Sequence, residues 1–180
     1  MIDATLSKNM ITILKGFKFS KFISYECGKI FDSAYGNLRI NTDKGSIEIT
    51  NFQRTMPFFN TEEEVTCFEC KKVDASTEFK PYCEEPFAIY NVEKEITSIE
   101  ILNDYININD NEYVISFDQA IIFRIENDVI MFSRDAWFSE NITISDNDDY
   151  NKIFPVDAAI ELWSDEGDNQ VRIDRTIKKL

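Results

Sequence analysis

Apolar and polar residues alternate with a period of two in short runs from Gly36 onward, as they do in half-buried β-strands. In the first pair of runs, Leu38 and Ile40 stand opposite Ile47 and Ile49 across a polar turn, which predicts a β-hairpin. Further short strands are predicted in the runs EEVTCFEC, FAIYNV and ITSIEIL. A second hairpin is predicted in YININ and EYVISF.

The most continuously apolar part of the chain lies at 119–145. Its runs AIIFRIE and VIMFSR are joined by Asn127 and Asp128, two residues that tolerate the positive φ of a tight turn, and the run NITIS follows. Strands that are covered on both faces are expected to be apolar throughout. We therefore expect these three runs to form the central part of a sheet.

The N-terminal residues follow a helical period. Met10, Ile13, Leu14 and Phe17 fit one face of a helix, and Gly16 stands where a helix can end. The pattern predicts a short helix up to about Leu14, followed by extended chain.

The C-terminal residues are predicted as another hairpin. The runs AAIELW and QVRIDRTI are separated by the turn-forming residues SDEGDN, and Ile160 and Leu162 can meet Val171 and Ile173 across the pair. The polar run SDNDDYNK at 145–152 precedes this segment, so residues 153–180 are the candidate for a C-terminal hairpin appendage.

Together these elements predict a mainly β fold. We expect an antiparallel β-sandwich or barrel-like fold of about ten strands joined by hairpins, with a short N-terminal helix. A chain of 180 residues with 43% apolar residues can bury the core of one such domain, which we expect to span residues 1–180. Neither a secretory signal nor a run of apolar residues long enough to cross a bilayer is recognised, so a cytoplasmic protein without membrane contact is expected.

The charge of the chain is acidic and unevenly distributed. The net charge is −14, residues 1–60 carry a net +3, and residues 61–180 carry a net −17. A negative field repels phosphate backbones, which argues against nucleic acid as a partner and favours a basic protein surface.

The chain contains no histidine, and this restricts its chemistry. Nucleophile arrangements that use histidine are excluded, and the commonest transition-metal ligand is missing. No glycine-rich phosphate loop is present, and no cofactor is predicted. The acidic turns could bind a hard cation through exposed oxygens, but turn-forming acids are common without one.

Four cysteines raise the question of a zinc site. Cys67 and Cys70 form a C-x-x-C pair and Cys83 follows, but the second close pair of a structural zinc site is missing. In a strand, residues three apart point to opposite faces, so Cys67 and Cys70 could not bind one ion without a local turn. We therefore assign no metal site and keep these three cysteines as weak candidates.

Two hypotheses of function follow, with a third in reserve. The first is a non-enzymatic, acidic protein-binding module, for example an inhibitor or immunity-type protein that docks on a basic partner. An aromatic residue such as Trp163 or Trp137 is the candidate anchor, although both also fit a core position. The predicted contact residues are acidic side chains of the C-terminal turns together with this anchor: Asp146, Asp148, Asp149, Asp165, Glu166, Asp168 and Trp163.

The second hypothesis is a β-domain that binds a small ligand or a carbohydrate. The chain has 2 tryptophans, 7 tyrosines and 15 phenylalanines, and aromatic rings on a concave face of a barrel can hold such ligands. An open pocket lined by aromatic side chains would support this hypothesis. The third hypothesis is an enzyme that uses carboxylates or a metal bound by the acidic turns.

Overall fold

The computed structural model describes residues 1–83, 86–146, 149–164 and 169–180. Within these residues the chain forms ten strands and three short helices. The strands are β1 (Ile2–Ala4), β2 (Lys21–Ile30), β3 (Ser33–Thr42), β4 (Gly45–Phe58), β5 (Thr61–Val73), β6 (Phe87–Ile108), β7 (Tyr113–Ile125), β8 (Asp128–Arg134), β9 (Asn141–Ser145) and β10 (Val171–Lys179). The helices are α1 (Lys8–Gly16), α2 (Tyr150–Ile153) and α3 (Val156–Ser164).

The strands belong to one sheet, in which the antiparallel pairings of six strands close into a ring. β6 pairs with β7, β7 with β8, β8 with β9, β9 with β3, β3 with β2, and β2 with β6. Outside the ring, β4 pairs with β3 and with β5, β10 pairs with β6, and β1 lies parallel to β7. The predicted mainly β, barrel-like fold is confirmed, with the correction that β1 makes the sheet mixed.

The largest apolar cluster takes side chains from all six strands of the ring. Phe123 makes edge-to-face contacts with Phe22 and Phe132, and all three rings are fully buried. Each buried ring contributes roughly 1.5–3 kcal/mol through the removal of apolar surface from water. Leu14 and Phe17 add to the same cluster from α1 and the residue after it, so the predicted N-terminal helix is confirmed.

Three of the four predicted hairpins are found, one of them with a shifted turn. Leu38 pairs with Ile49 and Ile40 with Ile47, as the alternation predicts. In the hairpin of β7 and β8, Ile125 pairs with Asp128, so the turn residues are Glu126 and Asn127 rather than Asn127 and Asp128. Glu126 has the positive φ, of 53°, and its amide donates to the Glu95 carbonyl.

Three runs that were predicted as separate strands form the single strand β6 of 22 residues. No glycine or proline interrupts them, so nothing in the backbone forces a turn. Residues 87–95 pair with β2, and residues from 96 onward pair with β7. The change of partner coincides with a bulge, near which Glu93 has a φ of 58°.

The predicted C-terminal hairpin is wrong, because AAIELW belongs to the helix α3. Val156, Ala159, Ile160 and Trp163 recur at helical spacing, and alanine, glutamate and leucine favour a helix over a strand. Pro155 immediately precedes α3, where its fixed φ is compatible with a helix start. β10 pairs along its whole length with β6 instead.

Candidate functional site: a groove at the opening of the barrel

The acidic turn residues that were predicted to contact a partner are only partly described. Asp148, Asp165, Glu166 and Asp168 lie outside the described residues. Asp146 is exposed directly after β9, and Asp149 is half-buried, with its carboxylate 3.4 Å from the ammonium of Lys152.

The predicted aromatic anchor lies in the core. Trp163 is only 2% exposed, and its ring stacks on that of Trp137 with 5.0 Å between the centroids. Phe58 packs against the same ring. In this fold Trp163 holds α3 on the sheet and offers no surface to a partner.

Cys67 and Cys70 lie on opposite faces of β5, as strand geometry requires. Cys67 packs in the cluster around the tryptophans, whereas Cys70 packs in the cluster inside the ring. Cys83 is half-buried in the segment before β6. Over the residues that the structure describes, no group of three or more potential ligand side chains is arranged to hold a metal ion.

Burial makes three of the four thiols poor nucleophiles, because the thiolate is disfavoured in apolar surroundings. Burial raises the pKa of Cys27 to about 11 and also raises the pKa values of Cys67 and Cys70. We expect 5,5′-dithiobis(2-nitrobenzoate) to modify about one thiol per native molecule rapidly, at Cys83. The Cys83→Ser variant should lose this fast phase, and two or more fast thiols in the wild type would contradict the described burial.

A groove of about 630 Å³ opens at one end of the ring. Its aromatic part is formed by Tyr25 of β2 and Tyr90 of β6, which are partners in the β2–β6 ladder. Their rings are stacked, with 4.7 Å between centroids, and Tyr25 makes an edge-to-face contact with the buried ring of Phe132. The described residues around the groove, from β2, the turn after it, β6, β8, β9 and the segment around α2, are Tyr25, Lys29, Asp32, Tyr90, Ile130, Thr143, Ile144, Ser145, Asp146 and Ile153.

One half of the groove is balanced in charge. The ammonium of Lys29 lies 5.3 Å from the centroid of the Tyr90 ring. Its hydrogen bond to the Tyr90 hydroxyl raises the pKa of Lys29, and the carboxylate of Asp32 acts in the same direction. Lys29 is therefore a cation already held by an aromatic ring.

The other half of the groove contains Tyr25 and the acidic side chain of Asp146. Burial raises the pKa of Tyr25 to about 12, and the nearby charge of Asp146 contributes to this shift. Tyr25 is therefore a neutral phenol at physiological pH. Among the described residues that line the groove, Lys29 is the one basic side chain, and it contacts the Tyr90 ring. We call Tyr25 and Asp146 the negative half of the groove.

A buried polar network fixes the wall of the groove that α2 provides. Arg175 of β10 makes two hydrogen bonds of 2.7 Å each to the carboxylate of Asp104, which is fully buried. The same guanidinium donates to Asn151 and to the carbonyl of Phe154, at the two ends of the segment that contains Ile153. The position of Ile153 in the groove thus depends on an ion pair on another part of the sheet.

Sequence reasoning did not find the groove. Tyr25 and Tyr90 are far apart in the chain, and only the non-local pairing of β2 with β6 brings them together. Of the predicted contact residues, Asp146 lines the groove. The sequence does place a basic and an acidic residue, Lys29 and Asp32, close together near the end of β2. Without knowledge of the strand pairing, these two residues alone do not predict a site.

No family model, curated protein or solved structure matches the chain. Among the described residues, no helix has the length and apolar character to span a membrane.

Proposed function

We propose that the chain is an acidic protein-binding module whose recognition site is this groove, and that the group recognised is a basic side chain of a partner protein. The observation that carries the proposal is the negative half of the groove. There, the charge of Asp146 acts on the stacked ring of Tyr25, and among the described residues that line the groove the one basic side chain, Lys29, contacts Tyr90 instead. A cation that enters this half gains both an ion pair and the quadrupole of the tyrosine ring.

The charge of the whole chain supports the same partner. A net charge of −14 raises the encounter rate with a basic surface and lowers it with an acidic one. The contact surface is then the groove, and Asp146 is the one residue of the predicted acidic turns that lines it among the described residues. An inhibitor or immunity-type role is one way in which such a module would act.

A titration with a minimal probe tests the proposal. We expect N-acetylarginine amide to shift the backbone amide resonances of residues around Tyr25 and Asp146, with a dissociation constant on the order of 1 mM. N-acetylcitrulline amide has nearly the same shape without the charge, and should cause much smaller shifts. Equal shifts from both probes, or shifts that avoid the groove, would contradict the proposal.

A second candidate is a small-ligand or carbohydrate-binding protein that uses the same groove. Its volume of about 630 Å³ lies in the range of small-molecule sites, and Thr143 and Ser145 add hydroxyl groups to the tyrosines. The same titration with a neutral monosaccharide distinguishes the two candidates. Groove shifts caused by the sugar and absent with the arginine probe would favour this second function.

A further inference from the structure

One segment of β6 beside the groove pairs with a neighbouring strand along a single edge. Residues 87–95 pair with β2, and the pairing of β6 with β7 begins only at Ile96. Glu95 still accepts from the amide of Glu126 on that second side. Among the described parts of the chain, no strand pairs with the second side of residues 87–92, which we call the open edge of β6.

The ladder with β2 determines which backbone groups point to the open edge. The amide of Lys29 donates to the carbonyl of Pro86, so 29 and 86 form a hydrogen-bonded pair. In an antiparallel ladder, such pairs alternate with pairs whose amides and carbonyls point away from the neighbouring strand. With this register, Ala88 and Tyr90 bond to β2. The amides and carbonyls of Phe87, Ile89 and Asn91 therefore point to the open edge.

The open edge is apolar, which is unusual for an edge strand. The side chains of Phe87 and Ile89 are 46% and 58% exposed on the outer face, while Tyr90 lies in the groove on the inner face. Native proteins usually protect such edges with charges, prolines or bulges, because an unprotected edge pairs readily with another strand. The open edge extends over six residues before the bulge near Glu93.

We propose that an extended segment of the basic partner pairs with the open edge of β6 as an additional strand. This inference rests on the proposed function and specifies how the partner binds. Backbone hydrogen bonds to Phe87, Ile89 and Asn91 provide affinity, and the alternate side chains of the segment that face inward reach the groove beside Tyr90. One of these is the basic side chain that enters the negative half.

The charges near the open edge favour a basic segment over a second copy of this chain. Glu93 already pairs with Lys21, and Asp32 lies near Lys29. The acids that argue for a basic segment are Glu95, which follows the open edge, and Asp146, which lines the groove beside it. Two copies that paired through this edge would bring these acids together, and each copy carries a net charge of −14. A basic strand neutralises them.

Hydrogen exchange at single amides tests the pairing directly. The probe is an acetylated and amidated peptide of eight residues in which arginine and threonine alternate. At a peptide concentration ten times its dissociation constant, the amides of Phe87, Ile89 and Asn91 should exchange about tenfold more slowly, because they are exposed only in the unbound fraction. The amides of Ala88 and Tyr90 are protected in both states and serve as internal controls. Binding of the peptide without added protection at these three amides would overturn the proposal.

Two N-methylated isomers of the peptide provide a matched pair of controls. In one isomer the arginine amides are methylated, and in the other the threonine amides. A strand directs alternate amides to one edge, so one isomer should bind about tenfold more weakly and the other should retain its affinity. Equal affinities would overturn the strand addition and leave the proposed function standing if N-acetylarginine amide still binds. Failure of both the peptide and the arginine probe would remove the proposed function as well.

Light scattering over a range of protein concentrations tests the competing occupant. We expect a monomer throughout. A dimer that forms with concentration, and that the Ile89→Pro variant abolishes, would assign the open edge to a second copy and overturn the proposal. Proline at this position removes an outward-pointing amide and leaves the hydrogen bonds to β2 intact.

Discussion

Replacing Arg175 by methionine is expected to lower the free energy of unfolding by about 3–5 kcal/mol, because it leaves the Asp104 carboxylate buried without its counter-ion. The side chain of Asp104 is fully buried, and Arg175 supplies both of its charged hydrogen bonds. The substitution also removes the donors that hold Asn151 and the carbonyl of Phe154. Urea denaturation followed by circular dichroism measures the change.

The double variant Asp104→Leu with Arg175→Met is the matched control. Removing both charges together avoids the uncompensated carboxylate, so this variant should recover most of the lost stability. The segment of α2 should remain released from β10 in the double variant, since its donors are still absent. A single variant Arg175→Met as stable as the wild type would contradict the role of the ion pair.

Replacing Trp163 by alanine is expected to cost about 3–5 kcal/mol of stability, as large-to-small changes of buried aromatic residues do. Stability is lost because a cavity forms under α3 and because the stacking against Trp137, whose ring centroid is 5.0 Å away, is removed. The same denaturation experiment measures it. Trp163→Phe should cost less, because a ring remains in contact with Trp137.

The binding titration separates a core role of Trp163 from a role as a partner anchor. Because Trp163 is buried in an apolar cluster that contains none of the groove-lining residues, the folded Trp163→Phe variant should bind N-acetylarginine amide as the wild type does. Unchanged stability together with lost binding would reverse this assignment and make Trp163 a contact residue.

The parts of the fold that the sequence predicts well are those that local pairing determines. The hairpin of β3 and β4 brings together residues close in the chain, so alternation and one polar turn suffice to assign its register. The same holds for the N-terminal helix, whose apolar positions and terminal Gly16 are all local. The opposite faces of Cys67 and Cys70 follow from the geometry of one strand.

The helix α3 was mispredicted because its local pattern is ambiguous, whereas the groove and the buried ion pair were missed because they join residues far apart in the chain. Within AAIELW, Ile160 and Leu162 alternate as in a strand. Val156, which lies before the run, and Trp163, which ends it, complete a helical period instead. The groove requires Tyr25 and Tyr90 to be paired across β2 and β6, and no feature near either tyrosine specifies the other. The pair of Arg175 and Asp104 is non-local for the same reason.

The proposed function requires a cation to enter the negative half of the groove. The most direct measurement is the dissociation constant of N-acetylarginine amide, determined by nuclear magnetic resonance at low salt for wild type, Asp146→Asn and Lys29→Met. Removing the acid should weaken binding about two- to fivefold, and removing the competing cation should strengthen it by a similar factor. Equal constants for the three proteins, or changes in the same direction for both variants, would contradict the account.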